Sequence, residues 1–133
     1  MSEYQDLIDR ANEAKKNAYA PYSKFYVGAC IKTRDQRYFL GANVENASYG
    51  LTNCAERNAI FSAYSNGYRK EDIIALAIVT DAKRITTPCG ACRQVLCELL
   101  MPQTPIVLSN RKEERVTTIR ELLPDCFDSE DLK

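Results

Sequence analysis

The apolar run IIALAIVT at residues 73–80 limits the fold of this chain more than any other segment. A continuous apolar run of this kind is typical of a strand that is buried on both faces of its sheet. Such a strand needs helices packed on each side of it, because an apolar face left in water is unfavourable. The chain is therefore predicted to be an α/β protein.

Capping boxes mark the two outer helices. A box at positions 2–5 precedes an apolar stripe at helical spacing, which predicts a first helix that runs to about Tyr19. A second box at positions 118–121 opens a closing helix that runs through Leu123. The chain is thus predicted to begin and end with a helix.

Two more helices are predicted in the middle of the chain, each after a strand region. The first covers residues 53–67, with a cap at Asn53 and a stop at Gly67. The second covers residues 89–101 and ends before Pro102, with its apolar residues on one side.

The remaining segments are predicted to be strands. FYVGACIKT and YFLGANV, at 25–33 and 38–44, flank a short polar turn and form a hairpin. PIVLS and RVTTI, at 105–109 and 115–119, are separated by too few residues for a parallel crossover helix, so they should pair antiparallel. The expected architecture is a mixed five-stranded sheet with helices on its faces, in a single domain over residues 1–133.

Charge and composition exclude some classes of partner. Eighteen basic and eighteen acidic residues cancel, so nothing indicates an electropositive surface built for nucleic acids or anionic membranes. The first residues, MSEYQDLIDR, lack a basic region followed by an apolar run, and no apolar stretch is long enough to span a bilayer. We therefore expect a cytoplasmic protein that binds a small molecule, with no nucleic-acid and no membrane partner.

Cysteine is the residue type that points to chemistry, because the chain has six cysteines and no histidine. A reducing cytosol favours thiols or metal thiolates over disulfides. In TPCGACRQV, a helix that begins near Cys89 places the sulfurs of Cys89 and Cys92 on one side of its first turn. The free N–H groups of a helix start favour the thiolate form. This pair alone is compatible with a metal site, a redox pair or half of a zinc ribbon.

A third sulfur, Cys54, lies at the start of the other middle helix, and the two helix starts could meet at one edge of the sheet. Three ligands would leave a fourth position to water, as in catalytic zinc sites. Cys97 lies about 140° around the helix from Cys92 and should point elsewhere. Cys30, Cys97 and Cys126 are expected to be buried small hydrophobes, although a site closed by Cys126 stays open as an alternative.

Glu56 adds a carboxylate to the three sulfurs. On its own it would be an ordinary first-turn glutamate, which the helix dipole favours. The combination of CAE at 54–56 with PCGAC at 88–92 matches zinc nucleobase deaminases, in which a glutamate that is not a zinc ligand acts as general acid and base.

The whole chain resembles the cytidine deaminases of the small, homotetrameric type in which all zinc ligands are cysteines. Besides CAE and PCGACRQ, the resemblance rests on AYAPYSKFYVGA, GANVENASY and ELLPDCFDSEDL, at residues 18–29, 41–49 and 121–132. It implies a three-layer α/β/α cytidine deaminase-like fold. It also implies the hydrolytic deamination of cytidine and 2′-deoxycytidine to uridine and 2′-deoxyuridine plus ammonia, in pyrimidine salvage.

The resemblance also implies the roles of individual residues. One Zn²⁺ per subunit would be held by Cys54, Cys89 and Cys92, and Glu56 would be the catalytic residue that transfers protons. Outside the ligands, Arg57 and Gln94 would support the metal site. The implied substrate-binding residues are Phe25, Asn43, Glu45, Ala47, Tyr49, Ala55 and Phe127.

The resemblance also implies a homotetramer with active sites shared between subunits. Ala47 and Tyr49 match positions that reach a neighbouring subunit's sugar site, and Phe127 matches a tail aromatic that closes another subunit's pocket. Without the resemblance, Asn43 and Glu45 would be ordinary polar loop residues. Phe25 and Phe127 would then pack on the protein's own core.

Three other functions remain open from the sequence. A non-catalytic zinc-binding module would use the cysteines for stability alone. A polynucleotide-editing deaminase would share the metal chemistry, but the chain lacks a basic stripe. A deaminase of another aminated nucleoside, such as a nucleoside antibiotic, would keep both cysteine motifs. NVENASY favours ribose or deoxyribose, by resemblance only.

Overall fold

The centre of the molecule is a mixed five-stranded sheet in the order β2-β1-β3-β4-β5, seen in a computed structural model that describes residues 2–133. Strands β3 and β4 are parallel, and the other neighbouring pairs are antiparallel. The predicted hairpin and the predicted antiparallel last pair are both confirmed. The strands are β1 (Gly28–Thr33), β2 (Tyr38–Ala42), β3 (Ile73–Val79), β4 (Ile106–Ser109) and β5 (Glu114–Thr117).

Helices cover both faces of this sheet, so the α/β/α layering is confirmed. Helix α1 packs on one face, and α2, α3 and α4 lie on the other. Every helix within residues 2–133 is too short or too polar to span a bilayer. The helices are α1 (Gln5–Lys15), α2 (Ala55–Ser65), α3 (Gly90–Leu99) and α4 (Ile119–Leu122), with short 3₁₀ helices at Tyr49–Leu51, Lys70–Asp72 and Ser129–Leu132.

Strand β3 is buried on both faces, as its apolar run predicts. Alternate side chains point to opposite layers: Ala75, Ala77 and Val79 belong to the core under α1. Leu76 and Ile78 belong to the core under the other helices. Each large apolar side chain buried in this way stabilises the fold by about 1.5–3 kcal/mol, so packing on this strand holds both helix layers in place.

The first helix is shorter than predicted, because α1 ends at Lys15 and not near Tyr19. The N–H groups of residues 16–18 bond to carbonyls three positions back, which tightens and ends the helix. Tyr19 then leaves the helix axis, and its N–H donates to the carbonyl of Asn43 at 2.9 Å. A contact with a distant segment therefore sets this boundary.

Of the predicted caps, only the one at Thr118 is present. Its hydroxyl accepts a hydrogen bond from the third N–H of α4 at 3.3 Å. The N-cap of α1 is Tyr4 and has no side-chain cap, so the capping box at positions 2–5 is wrong. The N-cap of α2 is Cys54, one residue after the predicted Asn53.

Helix α2 lies very close to β2 because Gly41 has no side chain. A Cβ atom at Gly41 would lie 2.3 Å from the carbonyl oxygen of Ala55 and 2.5 Å from the backbone nitrogen of Ala59. The close approach fixes the height of α2 over the sheet. It therefore also positions the first turn of α2, which carries Cys54 and Glu56.

A disulfide bond between Cys97 and Cys126 ties the segment after α4 to helix α3. The expectation that these two residues are buried small hydrophobes is wrong, because their sulfurs are bonded to each other although they lie 29 positions apart in the sequence. Since Cys126 is bonded to Cys97, a metal site closed by Cys126 is excluded. Cys30, in contrast, is a free and fully buried thiol in β1, as expected.

Candidate active site

The first turns of α2 and α3 meet and bring three sulfurs together. Cys54 is the N-cap of α2, Cys89 is the N-cap of α3, and Cys92 lies in the first turn of α3. Neither helix has a side-chain cap, so the two N-cap thiols are not used to cap their helices. The three Sγ atoms all lie within 4.8 Å of one another. These are the sulfurs that the sequence singles out.

The spacing of these sulfurs fits one zinc ion. Cys54 Sγ lies 3.9 Å from Cys89 Sγ, and Cys89 Sγ lies 3.5 Å from Cys92 Sγ. Tetrahedral zinc with Zn–S bonds of about 2.3 Å places its sulfurs about 3.8 Å apart. Within residues 2–133 the cluster contains these three cysteines and no fourth ligand. The donor set therefore has the form of a zinc site with one position free for water.

Arg57 also indicates that the Cys54 sulfur carries negative charge. Its Nη2 donates a hydrogen bond to Cys54 Sγ at 3.3 Å, and its Nε is buried without a partner in the part of the chain described. A hydrogen bond from the Cys92 thiol and the Arg57 guanidinium lower the pKa of Cys54, while the same bond raises the pKa of Cys92. Burying an unpaired N–H is costly unless the neighbouring group is strongly negative. Thiolates that hold a metal would meet this need.

Glu56 is a buried carboxyl beside the sulfurs. It is the second residue of α2, and only 4% of it is exposed. Burial raises the pKa of Glu56 to about 7, and the negative charge of Cys54 acts in the same direction. A carboxyl with a pKa near neutrality can both accept and donate a proton, which a general acid and base must do.

One cavity joins two of the three cysteines, Cys54 and Cys89, to the predicted substrate contacts. Its volume is about 280 Å³, close to the lower end of the range of about 300–1,000 Å³ that is usual for small-molecule sites. Of the residues that the sequence singles out, the cavity is lined by Phe25, Asn43, Glu45, Cys54, Ala55, Glu56 and Cys89.

Asn43 shapes the wall of this cavity. Its Oδ1 accepts a hydrogen bond from the N–H of Val27 at 2.9 Å, and its Nδ2 donates to the carbonyl of Phe25 at 2.8 Å. These bonds hold residues 25–27 outside the regular part of β1, which begins at Gly28 rather than at Phe25. An amide oxygen can accept a second hydrogen bond and an amide nitrogen can donate a second one, so Asn43 can still bind a ligand hydroxyl.

Glu45 is held at the opening of the cavity by the turn before β1. Its carboxylate accepts hydrogen bonds from the N–H groups of Tyr22 and Ser23, at 3.0 and 3.1 Å, and from the Ser23 hydroxyl. The hydrogen bond from the Ser23 side chain is the main cause that lowers the pKa of Glu45. Glu45 is therefore an ionised and oriented acceptor at neutral pH.

Several predicted residues do not line this cavity. Ala47 and Tyr49 lie on the surface, and Tyr49 is 75% exposed. Phe127 is 58% exposed, so it does not pack on the protein's own core. Gln94 Nε2 donates to the carbonyl of Phe127 at 2.7 Å and so contacts the C-terminal segment rather than the sulfurs.

Several cavity residues were not singled out from the sequence, among them Ser23, Thr80 and Thr87. Ser23 supports Glu45 but belongs to no local pattern that carries chemistry. Thr80 and Thr87 line the cavity at the end of β3 and just before α3. Because α/β proteins place their sites beyond the carboxyl ends of strands, the position of Thr80 directly after β3 was a usable signal.

Known proteins resemble this chain in sequence and in structure. The family model of the cytidine and deoxycytidylate deaminase zinc-binding region matches residues 1–108. A cytidine deaminase of Halalkalibacterium halodurans is 51% identical, and the match covers 96% of each chain. A cytidine deaminase of Sporosarcina psychrophila is 45% identical over 96% of this chain and 93% of its own.

A solved structure of a cytidine deaminase also resembles this chain. The crystal structure of a cytidine deaminase from Burkholderia pseudomallei superposes with a TM-score of 0.90 at 50% sequence identity. The superposition covers 96% of this chain and 100% of that one. The likeness therefore extends over nearly the whole chain.

Proposed function

The chain belongs to the cytidine and deoxycytidylate deaminase family, and we propose that it deaminates cytidine and 2′-deoxycytidine by hydrolysis. The products are uridine or 2′-deoxyuridine and ammonia. The observation that carries this proposal is the meeting of three cysteine sulfurs, within 4.8 Å of one another, beside the buried carboxyl of Glu56. The names of the similar proteins favour cytidine over other aminated nucleosides and over a zinc module without activity.

Cys54, Cys89 and Cys92 hold one zinc ion, which when bound supplies a Lewis acid that activates water near neutral pH. Glu56 accepts a proton from the attacking water and delivers it to the ring nitrogen N3 of cytosine. As the C4–N bond breaks, Glu56 takes the remaining proton from the hydroxyl on C4 and gives it to the departing amine. The water oxygen remains on C4, so the products balance as uridine and ammonia.

Arg57 and the two helix starts compensate the charge of the ligand set. Three thiolates around a dication leave a formal charge of about −1, which weakens the metal as a Lewis acid. The hydrogen bond from Arg57 to Cys54 withdraws charge from one sulfur. The N-termini of α2 and α3 act in the same direction, because each carries a partial positive charge.

Substrate binding falls to the other residues of the cavity. Asn43 and Glu45 bind the ribose hydroxyls, with Glu45 as the ionised acceptor. Phe25 packs against the base, and the buried Ala55 lines the wall between Cys54 and Glu56. Gln94 acts indirectly, through the segment that carries Phe127.

Ultraviolet absorbance of cytidine incubated with the purified protein tests the activity, with zinc content measured on the same sample. We expect about one zinc per chain, because three cysteine sulfurs form one site of catalytic type. Glu56→Gln should reduce turnover by about 10²–10⁴-fold or more with zinc retained. If Glu56→Gln leaves the turnover of cytidine by the zinc-loaded protein unchanged, the protein is a metal-binding module and the proposal is overturned.

We also propose that the protein is a homotetramer whose active sites are shared between subunits. Exposed aromatic rings support this, since apolar surface of this kind marks association sites. Tyr19, Tyr22, Tyr49 and Phe127 are 54%, 49%, 75% and 58% exposed. Ala47, Tyr49 and Phe127 would then reach the cavity of a neighbouring subunit. Sedimentation that shows a fully active monomer would contradict this assembly.

A cytoplasmic location, a role in pyrimidine salvage and a single domain over residues 1–133 complete the proposal. In a reducing cytosol the Cys97–Cys126 disulfide would be an exception to the usual state of cysteines there. The absence of net charge supports a nucleoside rather than a nucleic acid as substrate. A gel-shift experiment at low salt would reveal polynucleotide binding, which we do not expect. Packing of helices on both faces of one sheet supports the single domain.

A further inference from the structure

Arg93 directly follows Cys92 in the chain, and its side chain makes three hydrogen bonds away from the sulfurs. Its guanidinium donates three hydrogen bonds: Nε to the carbonyl of Pro88 at 2.7 Å, Nη2 to the hydroxyl of Thr87 at 2.8 Å, and Nη1 to the carbonyl of Leu122 at 2.7 Å. None of the three acceptors is a carboxylate. The side chain therefore acts as a fork that joins two distant backbone segments.

The first two acceptors fix the approach to Cys89. Thr87 and Pro88 lie outside regular structure and lead directly into α3, and the Thr87 side chain lines the cavity. The backbone N–H of Arg93 also bonds to the carbonyl of Cys89 at 2.9 Å. One residue thus holds Cys89 from both sides, through the first turn of the helix and through the segment before it.

Cys89 needs this support because packing does not provide it. Cys92 is fully buried and Cys54 is half-buried, whereas Cys89 is exposed at the start of its helix. An exposed N-cap side chain has few neighbours that restrict its rotamer. The hydrogen bonds of Arg93 restrict the backbone of Cys89 instead.

The third acceptor connects the metal ligands to the C-terminal segment. Leu122 is the last residue of α4, where helix carbonyls have no partner within the helix. Arg93 supplies that partner. Leu122 is followed by the segment that carries Cys126 and Phe127, so one guanidinium joins this segment to the start of α3.

We propose that Arg93 is a positioning residue of the metal centre, which holds Cys89 at the distance that zinc requires. The inference rests on the proposed role of the three sulfurs as zinc ligands. It depends on the shape of the guanidinium, because three hydrogen bonds to fixed acceptors need a planar group with donors in a fork. A lysine ammonium keeps the charge but cannot match this geometry.

The test uses the full-length, zinc-loaded protein and its variants Arg93→Lys and Arg93→Ala. Release of zinc to a chromophoric chelator measures how firmly the metal is held. We expect release to be about 10–100-fold faster in both variants, with Arg93→Lys less affected, as is usual when a group that orients a metal ligand is lost. Arg120→Ala, at an exposed position of α4, is the matched control and should release zinc at the wild-type rate.

Two further measurements separate positioning from a general loss of stability. The absorption bands of the cobalt-substituted protein report the geometry of the sulfurs and should change in Arg93→Lys even where the variant melts at the wild-type temperature. Activity should show a lower kcat at nearly unchanged KM, because the contacts to the nucleoside remain.

Wild-type zinc release and wild-type cobalt bands in folded Arg93 variants would overturn the inference and leave the proposed function intact. A wild-type protein that binds no zinc would overturn both. If Arg93→Lys and Arg93→Ala both fail to fold while Arg120→Ala folds, Arg93 is required for the fold in general, and its specific role at Cys89 is wrong.

Discussion

Ser23 links two groups that line the cavity. Its hydroxyl donates to the Glu45 carboxylate and accepts a hydrogen bond from the N–H of Phe25 at 3.0 Å. One hydroxyl therefore orients the predicted ribose acceptor and the predicted base contact together. Because a charge-assisted bond of this kind favours the ionised acid, it also keeps Glu45 charged at lower pH.

Ser23→Ala should weaken substrate binding more strongly at low pH than at neutral pH. The Ser23 bond lowers the pKa of Glu45, so its loss lets that pKa rise toward the ordinary value of 4.5. At about pH 7.5 Glu45 stays ionised in both proteins, but at about pH 5 a larger fraction is protonated in the variant. We expect the KM for cytidine to rise at the lower pH, with kcat little changed.

Steady-state kinetics at both pH values checks this prediction. Ser65→Ala, at an exposed position at the end of α2, is the control. An equal rise of KM at both pH values would show that Ser23 acts through orientation alone and not through the charge of Glu45.

At the scale of elements, the close contact between α2 and β2 positions the helix start that carries Cys54 and Glu56. A methyl group at Gly41 would meet backbone atoms of α2, which cannot move aside as a flexible side chain can. Gly41→Ala should therefore lower the free energy of unfolding by about 1–3 kcal/mol or more, as expected for overpacking. Gly50→Ala is the matched control, because a Cβ there meets no atom within 4 Å. Urea unfolding of both variants measures the difference, and equal stabilities would contradict the packing argument.

The disulfide between Cys97 and Cys126 is the second contact between elements that can be tested. It closes a loop over 29 positions of sequence, and the chain-entropy account assigns such a loop about 3.5 kcal/mol of stability. The double variant Cys97→Ser/Cys126→Ser should lose about this much in urea unfolding. Mass spectrometry of alkylated peptides should find the two residues linked in the wild-type protein. Free thiols at both positions, or equal stabilities, would contradict the prediction.

At the scale of the whole molecule, shared active sites predict complementation between inactive subunits. Glu56→Gln subunits lack the proton-transfer residue, and Phe127→Ala subunits lack the exposed ring that should close a neighbour's cavity. In a mixed tetramer, some sites combine Glu56 of one subunit with Phe127 of the next. Mixing the two variants after dissociation and reassembly should therefore restore a low KM at part of the sites. Kinetics that equal the sum of the separate variants would contradict shared sites.

Patterns along the chain were sufficient to predict much of this protein. The apolar run predicts a strand buried on both faces, and the short connection before β5 predicts an antiparallel pair. The spacing of Cys89 and Cys92 on one helical turn predicts that their sulfurs lie together. Each of these follows from local geometry, since periodicity, connection length and helix pitch act over a few residues.

Only the tertiary structure decided the contacts between distant segments. The end of α1 depends on a hydrogen bond from Tyr19 to Asn43. The partners of Arg93 lie in the segment before α3 and at the end of α4. No local sequence pattern predicts the disulfide bond between Cys97 and Cys126. Packing of the helices on the sheet sets which of these groups come within bonding distance, and residue spacing along the chain does not contain that information.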